Sequence, residues 1–382
     1  MRSTKKLILA LIFSLWLPSI LSAGSIHWQG QFSGWLLMND DKQTNAQAGL
    51  RYIPTLNWEK SIGSRRTIDF ELAVNGYQTI HAKSFEDFES SGKIKPYRGW
   101  LRFATPQLEL RLGLQKINFG SSTMLRPLMW FDQIDPRDPL QLTDGVYALL
   151  GRYYFLNNTN IWLWGLYGNK DLKGWEVIPS DKNSIEYGGR LQLPLFTGEL
   201  GFTYHHRQMD LNQVLFIQLL RTQDLIPEDR FALDGKWDVE IGCWFESVLI
   251  HQHFDWYPID YQQMLTLGAD YTFSLGNGLH LLGEQIYMKA SEKILGRGET
   301  QQFSALLADY PIGLFDQVMA IFYYDWENEN LYRFCRWQKT FNKWSFHLIG
   351  FWNPAQYLLY QTTDTVNYYA GKGLQFLMVY QH

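Results

Sequence analysis

Oily and polar side chains take turns along most of this chain. Between residues 107 and 115, Leu108, Leu110, Leu112 and Leu114 fall on one parity, and Glu109, Arg111, Gly113 and Gln115 on the other. Successive side chains of an extended strand point to opposite faces, so this spacing predicts a strand with one apolar and one charged face. The pattern returns at Tyr147, Leu149, Gly151, Tyr153 and Phe155, set against Arg152 and Tyr154. It also follows residue 23, where Ile26, Trp28, Phe32, Leu36 and Met38 oppose His27, Gln29, Gln31 and Ser33. Further strands are predicted at 46–58, 68–74, 97–103, 161–167, 185–193, 200–207, 230–239, 241–250, 265–275, 279–288, 303–310, 317–326, 331–339, 344–352 and 373–380. The total is about 18, an even number. Pro54 cannot donate to a ladder and predicts a bulge in the second strand.

The connections sort into two kinds. Short turns are expected at 105–106, 157–159 and 276–278, and longer loops at 78–94, 119–145, 168–184, 208–228, 289–299 and 353–366. The long ones occupy alternate connections, which places them all at one end. A sandwich or propeller has no reason for that segregation. A sheet closed on itself does, when it crosses a membrane with strands of roughly 9–11 residues or more. The expected fold class is therefore all-β: a transmembrane, antiparallel, up-and-down β-barrel. The stretch 119–145 is too long for a turn and too apolar for a linker, so it is expected to fold inward as the third outward loop.

Composition agrees with this picture. Aromatics make up 16% of the 382 residues, with 16 Trp and 22 Tyr, as expected where rings line a membrane interface. The net charge of −4 argues against a nucleic-acid partner, which requires a basic surface. Residues 1–23 join Arg2, Lys5 and Lys6 to an apolar run ending at Ser22 and Ala23, the pattern of a signal peptide, which leaves 24–382 for the barrel. Cys243 and Cys335 lie far apart, fit no metal spacing and are assigned no disulfide. His251 and His253 share a strand face, but spacing fixes no third ligand, so no metal or cofactor is expected. No nucleophile motif appears, and the chain is not expected to be an enzyme.

In a barrel the oily parity faces lipid and the other faces the lumen. The inner wall then carries Arg51, Arg98, Arg102, Arg111, Arg152, Arg190 and Arg207 on the N-terminal half, with Asp234, Glu246, Asp270 and Glu284 on the C-terminal half. The inward loop adds Asp132, Asp135, Asp138 and Asp144, with Arg126 and Arg137. A constriction is expected from Arg98, Arg102, Arg111, Arg152 and Arg190 facing Asp132, Asp135 and Asp138. Opposed charges there would orient polar solutes as they pass. The bland alternative is that these charges pair with wall neighbours. Trp100, Trp162, Trp164 and Trp244 also fall partly on the inner parity; they are read as interfacial rings displaced by a bulge, with a sugar-stacking ladder as the alternative.

Arg111-x-Gly113-x-Gln115, Gly120 and the run Asp135-Pro136-Arg137-Asp138 resemble the porin-type outer-membrane barrels of Gram-negative bacteria. The nearest likeness is to the alginate-export-like and related uncharacterised barrel families. The spacing of Gly373, Phe376, Met378 and Tyr380 is similar to the closing-strand signal read by the barrel assembly machinery. The resemblance implies a bacterial outer-membrane channel for passive diffusion of small polar or anionic solutes, with saccharides among the candidates. It implies lipid and lipopolysaccharide as surroundings, and a monomer or homotrimer. The alternatives are a barrel enzyme of the lipid-hydrolase type and a blocked structural or adhesion barrel.

Overall fold

The computed structural model describes residues 24–40, 46–84, 87–213, 224–254, 259–294, 296–354 and 369–382, so the signal segment expected at 1–23 lies outside it. The strands are β1 (Ser25–Asn39), β2 (Ala46–Ile62), β3 (Arg66–Ser84), β4 (Asp87–Ala104), β5 (Leu108–Gln115), β6 (Val146–Tyr154), β7 (Asn160–Leu166), β8 (Glu186–Leu195) and β9 (Gly198–Asp210). They continue as β10 (Leu225–Val239), β11 (Ile241–Gln252), β12 (Tyr261–Phe273), β13 (Leu279–Ser291), β14 (Gly298–Pro311), β15 (Asp316–Asp325), β16 (Asn330–Phe341), β17 (Trp344–Trp352) and β18 (Lys372–Gln381). Each strand pairs antiparallel with its sequence neighbours, and β1 pairs with β18, which closes an 18-stranded barrel. Closure leaves no edge strand within the shared span, although β4 pairs with the shorter β5 only over Gly99–Ala104. At the seam, Gly30 and His382 exchange N–H···O bonds of 3.1 Å, and the His382 ring lies 3.0 Å from the Tyr52 hydroxyl.

Every predicted strand is present, and the long connections share one end. Two local expectations fail. The stretch 78–94 is not a loop: β3 and β4 continue through it as a paired hairpin, with Thr79 donating to the Ser91 carbonyl at 3.2 Å. The ladder shifts register where Ala73 faces Arg98 and Val74 faces Pro96. That bulge at Tyr97 moves the inward set of β4 from odd positions before it, such as Lys95, to even positions after it, such as Arg98, which hides the alternation. Pro54 produces no bulge; the register of β2 with β1 runs straight past it, from Gln31↔Ile53 through Gly30↔Pro54.

The exterior parity is predominantly apolar, with Leu112, Leu163 and Leu374 among many exposed side chains. In water such a continuous surface would be an aggregation liability; in hydrocarbon it is the matching solvent. Rings gather at the turn end, where Tyr153 meets Phe155, Tyr271 meets Phe273, and Trp344 stacks on Phe346. Both cysteines are exposed and unpaired. The interior also carries apolar clusters. One spans β11 and β13–β17 and reaches Leu37 of β1; a second lines β6, β7 and β10–β12. What covers them decides what the barrel can do.

Candidate functional site

The connection between β5 and β6, residues 116–145, runs into the lumen and fills it from β6 round to β14. Two glycines let it turn in. Gly113 has φ +122°, and a Cβ there would sit 2.2 Å from the Gly99 carbonyl oxygen. Gly120 has φ +97°, and a Cβ there would sit 2.4 Å from Glu246 Oε1. Only glycine tolerates both demands. Gln115, fully buried at the end of β5, donates to the Ala148 carbonyl at 2.9 Å and fixes the start of the loop against β6.

Two wall carboxylates hold the loop's backbone. Glu246 accepts the N–H groups of Ser122 (2.7 Å) and Leu128 (3.2 Å). Glu284 accepts those of Thr123 (2.7 Å), Met124 (2.9 Å) and Leu125 (2.5 Å), and also the Trp244 indole N–H at 3.1 Å. Thr266 donates to the Leu125 carbonyl at 2.8 Å. A loop without secondary structure carries unpaired backbone donors, and charge-assisted bonds satisfy them in this dry interior. These acids of the C-terminal half thus grip the loop, and the expected acidic wall facing solute is not formed by them. Met124 and Leu125 join the first apolar cluster, and Phe119, Leu128, Trp130 and Phe131 the second.

A second loop, residues 167–185, lies against the first. Trp175 donates to the Arg126 carbonyl at 2.8 Å, and Gln133 to the Leu172 carbonyl at 2.8 Å. Lys173 ties this loop to the wall through Glu186 at 3.0 Å. Glu186 also meets His205 at 3.2 Å, and His205 takes the Trp164 indole N–H at 3.2 Å.

The candidate constriction residues divide into two groups. Arg98, Arg102, Arg111 and Arg152 stand half-buried on the inner face of β4, β5 and β6. Arg102 reaches Asp69 at 3.0 Å and Glu109 at 3.4 Å; Arg111 and Arg152 meet the same Glu109 at 3.0 and 3.5 Å. Glu109 is shared by three guanidiniums, and the four arginines face three inward carboxylates, Asp69, Glu71 and Glu109, so this patch keeps one net positive charge. Arg98 donates to the Thr143 carbonyl at 3.0 Å. The other group is closed in on itself. Arg190 and Asp234 form a buried bidentate pair at 2.6 and 2.7 Å. Asp132 pairs with Arg126 at 2.6 Å, and Asp135 with Arg137 at 2.5 Å. Asp138 accepts the Leu140 and Leu142 N–H groups, each at 3.0 Å. Burial pushes the Asp138 carboxyl up from its ordinary range, with those two donors opposing the shift.

A gap of about 200 Å³ remains between the inward loop and strands β1–β4 and β18, lined by Trp35, Arg51, Lys95, Tyr97, Asp144 and Gln375. Lys95 and Asp144 bridge it at 2.7 Å. Below it, along β4, come Arg98 and then Arg102. The arginines and the gap therefore lie on one side of the barrel.

The four tryptophans are not girdle rings. Trp164 and Trp244 are buried inside, under the inward loop, and Trp162 and Trp100 carry Arg152 and Arg111 over their faces at 3.8 and 4.6 Å. A signal existed: Gly268 faces Trp244 across the ladder, and a Cβ there would meet the indole at 2.3 Å. A glycine opposite a tryptophan marks a ring lying flat on the wall. His206 and His253 meet Asp229 at 2.9 Å each, away from buried His205. Among the described residues no group of three or more His, Cys, Asp or Glu could hold a metal ion.

No protein-family model matches the chain, and no curated protein matches it. The likeness to alginate-export-like barrels therefore rests on the short motif alone. Solved structures do match in fold. OccAB4 of Acinetobacter baumannii aligns at a TM-score of 0.57 and 8% identity, covering 94% of this chain and 98% of that one. OmpF of Salmonella typhi, in complex with daunomycin, aligns at 0.53 and 12%, covering 94% and 97%. The trimer form of OmpT from Vibrio cholerae aligns at 0.53 and 12%, covering 94% and 100%. At these identities the likeness shows an outer-membrane porin-type barrel fold.

Proposed function

We propose that this chain is a bacterial outer-membrane channel through which small polar or anionic solutes diffuse passively. The observation that carries the reading is the half-buried set Arg98, Arg102, Arg111 and Arg152, which lines the inner wall beside the gap that the inward loop leaves along β1–β4. Anions entering between the loop and β1–β4 meet a patch whose guanidiniums outnumber their carboxylate partners. Arg190, Asp132, Asp135 and Asp138 serve this reading by holding the wall and loop in shape. Export directed by residues 1–23, assembly by the barrel machinery, contact with lipopolysaccharide and trimer formation belong to the same reading; the trimer of one fold neighbour supports the last.

Planar-bilayer recording tests it. The purified barrel is expected to conduct, and changing Arg98, Arg102 and Arg111 to Glu is expected to move the reversal potential in a salt gradient toward cation selectivity. An unchanged potential would remove those residues from the path. A second reading is a blocked, structural barrel. It is favoured by the near-complete burial of Phe303, Ile321 and Ile349 on inward-facing positions. Absence of conductance even after deletion of residues 132–144 would select it.

A further inference from the structure

Six successive short turns, from β6–β7 round to β16–β17, each carry a large exposed apolar side chain: Leu156, Phe196, Ile241, Leu275, Leu314 and Phe341. Leu156, Phe196 and Leu314 are 93%, 94% and 95% exposed. Apolar residues scattered singly over a surface need no explanation; one on every turn of an arc does. Phe196 also holds φ at +54°, the left-handed region that disfavours a bulky side chain. An exposed ring on a costly backbone marks a residue kept for what it touches. We infer that these six turns form a lipid-binding rim, whose apolar side chains insert into the membrane leaflet on the turn side instead of standing in water.

Two observations select lipid as the partner. The first is a length. Near the loop end, Asp229 accepts from the Tyr204 hydroxyl at 2.7 Å and meets His206 and His253 at 2.9 Å each. Asp229 faces His206 on one side and His251 on the other, on the outward parity that also carries Phe231. Such groups are costly in hydrocarbon, so they mark its limit at the loop end. From His251 down to Ile241, β11 takes ten residue steps. At about 3.4 Å a step and a tilt of about 40°, these descend roughly 26 Å. The apolar band of such barrels is about 25 Å tall, so the hydrocarbon reaches the turn itself. The same count separates His206 from Phe196 across β9 and its turn.

The second observation is the other flank. On β2, Lys60 stands on the outward parity of Tyr52, and Ser64, Arg65 and Arg66 are exposed at the β2–β3 tip, so the hydrocarbon ends there before the turn. The β4–β5 turn, with Thr105, Pro106 and Gln107, carries no large apolar side chain either. Ordinary polar turns are thus made on one flank, and apolar tips are confined to the remaining arc. A docked protein would ask for one patch; an arc of tips at the depth where acyl chains end fits a surrounding solvent.

Spin-label depth measurement on the purified barrel in phosphatidylcholine vesicles tests this. Cys243→Ser and Cys335→Ser clear the background. Nitroxides are then attached through Phe196→Cys, Leu314→Cys and, as a control at the same end, Ser64→Cys. Oxygen concentrates in hydrocarbon, and a nickel chelate supplied on both sides stays in water. The oxygen-to-nickel collision ratio at 196 and 314 is expected to exceed that at 64 several-fold. Equal ratios would overturn the seating and leave the tips to a water-borne partner. A second readout carries no label. Asn suits a left-handed position better than Phe, so Phe196→Asn would stabilise a turn standing in water. It is expected instead to lower the urea midpoint of the vesicle-inserted barrel; a raised or unchanged midpoint would overturn the rim. Neither result touches conductance or selectivity, so the channel reading keeps its own test.

Discussion

On β13–β17 the inward side chains are mainly apolar and buried, among them Leu282, Ile286, Phe303, Leu307, Ile321, Tyr323, Tyr332, Phe334, Ile349 and Phe351, with Glu284, Arg336 and His347 between them. On β2–β5 they include Arg51, Asp69, Glu71, Arg98, Arg102, Glu109 and Arg111, mostly half-buried. The two sides of one sheet thus solve opposite problems. Charges facing a wet lumen cost little. Each large apolar side chain there is worth about 1.5–3 kcal/mol only if something keeps water off it. The inward loop supplies part of that cover with Met124 and Leu125, and Glu246 and Glu284 fix it in place. The difference teaches that the loop is less a filter laid across an open pore than the core of one side of the molecule. The gap along β1–β4 is the part the loop leaves alone.

Three measurements would break or sharpen that contrast. The largest effect is expected from replacing Glu246 and Glu284 together by Ala. Five loop N–H groups lose their acceptors, each left unsatisfied at about 1–3 kcal/mol. The loop should leave its seat and single-channel conductance rise several-fold; an unchanged conductance would show that apolar contacts alone hold it. Next is Asp234→Ala, which strands a buried Arg190. A loss of about 3–5 kcal/mol is expected in urea unfolding followed by gel mobility, since breaking a buried pair leaves an uncompensated charge. The smallest is Asp144→Ala on the open side. Its carboxylate is about half exposed against Lys95, so stability should change by less than about 1 kcal/mol. Equal losses from the last two would erase the distinction between charges sealed under the loop and charges left open beside it.

The sequence announced the strands because hydrocarbon enforces one parity along each of them. Leu108, Leu110 and Leu112 had to face out, whatever lay within. It also announced the inward loop, whose apolar residues at a length beyond any turn needed a place to go. The inner face was harder to read. Inward Ile321 and Phe334 remove the polar half of the alternation, so strands there show no lumen-facing signature. Trp164 and Trp244 looked like interfacial rings because one residue of slippage separates the two positions, and only the glycines opposite them tell otherwise. The partners of Glu246 and Glu284 were beyond reach. They are backbone amides more than a hundred residues away, and main-chain donors leave no mark in an alphabet of side chains.

The oil-lined strands have one more consequence. A ribbon made of β13–β17 is greasy over much of both its concave and convex sides, with Phe322 and Leu348 outside and Ile321 and Ile349 inside. A few inward polar groups, Glu284, Arg336 and His347 among them, tell it which way to curl. On β2–β6 the same choice is made by Arg51, Arg102, Arg111 and Arg152, which cannot turn toward hydrocarbon. A handful of charged side chains thereby keeps the whole cylinder from assembling inside out.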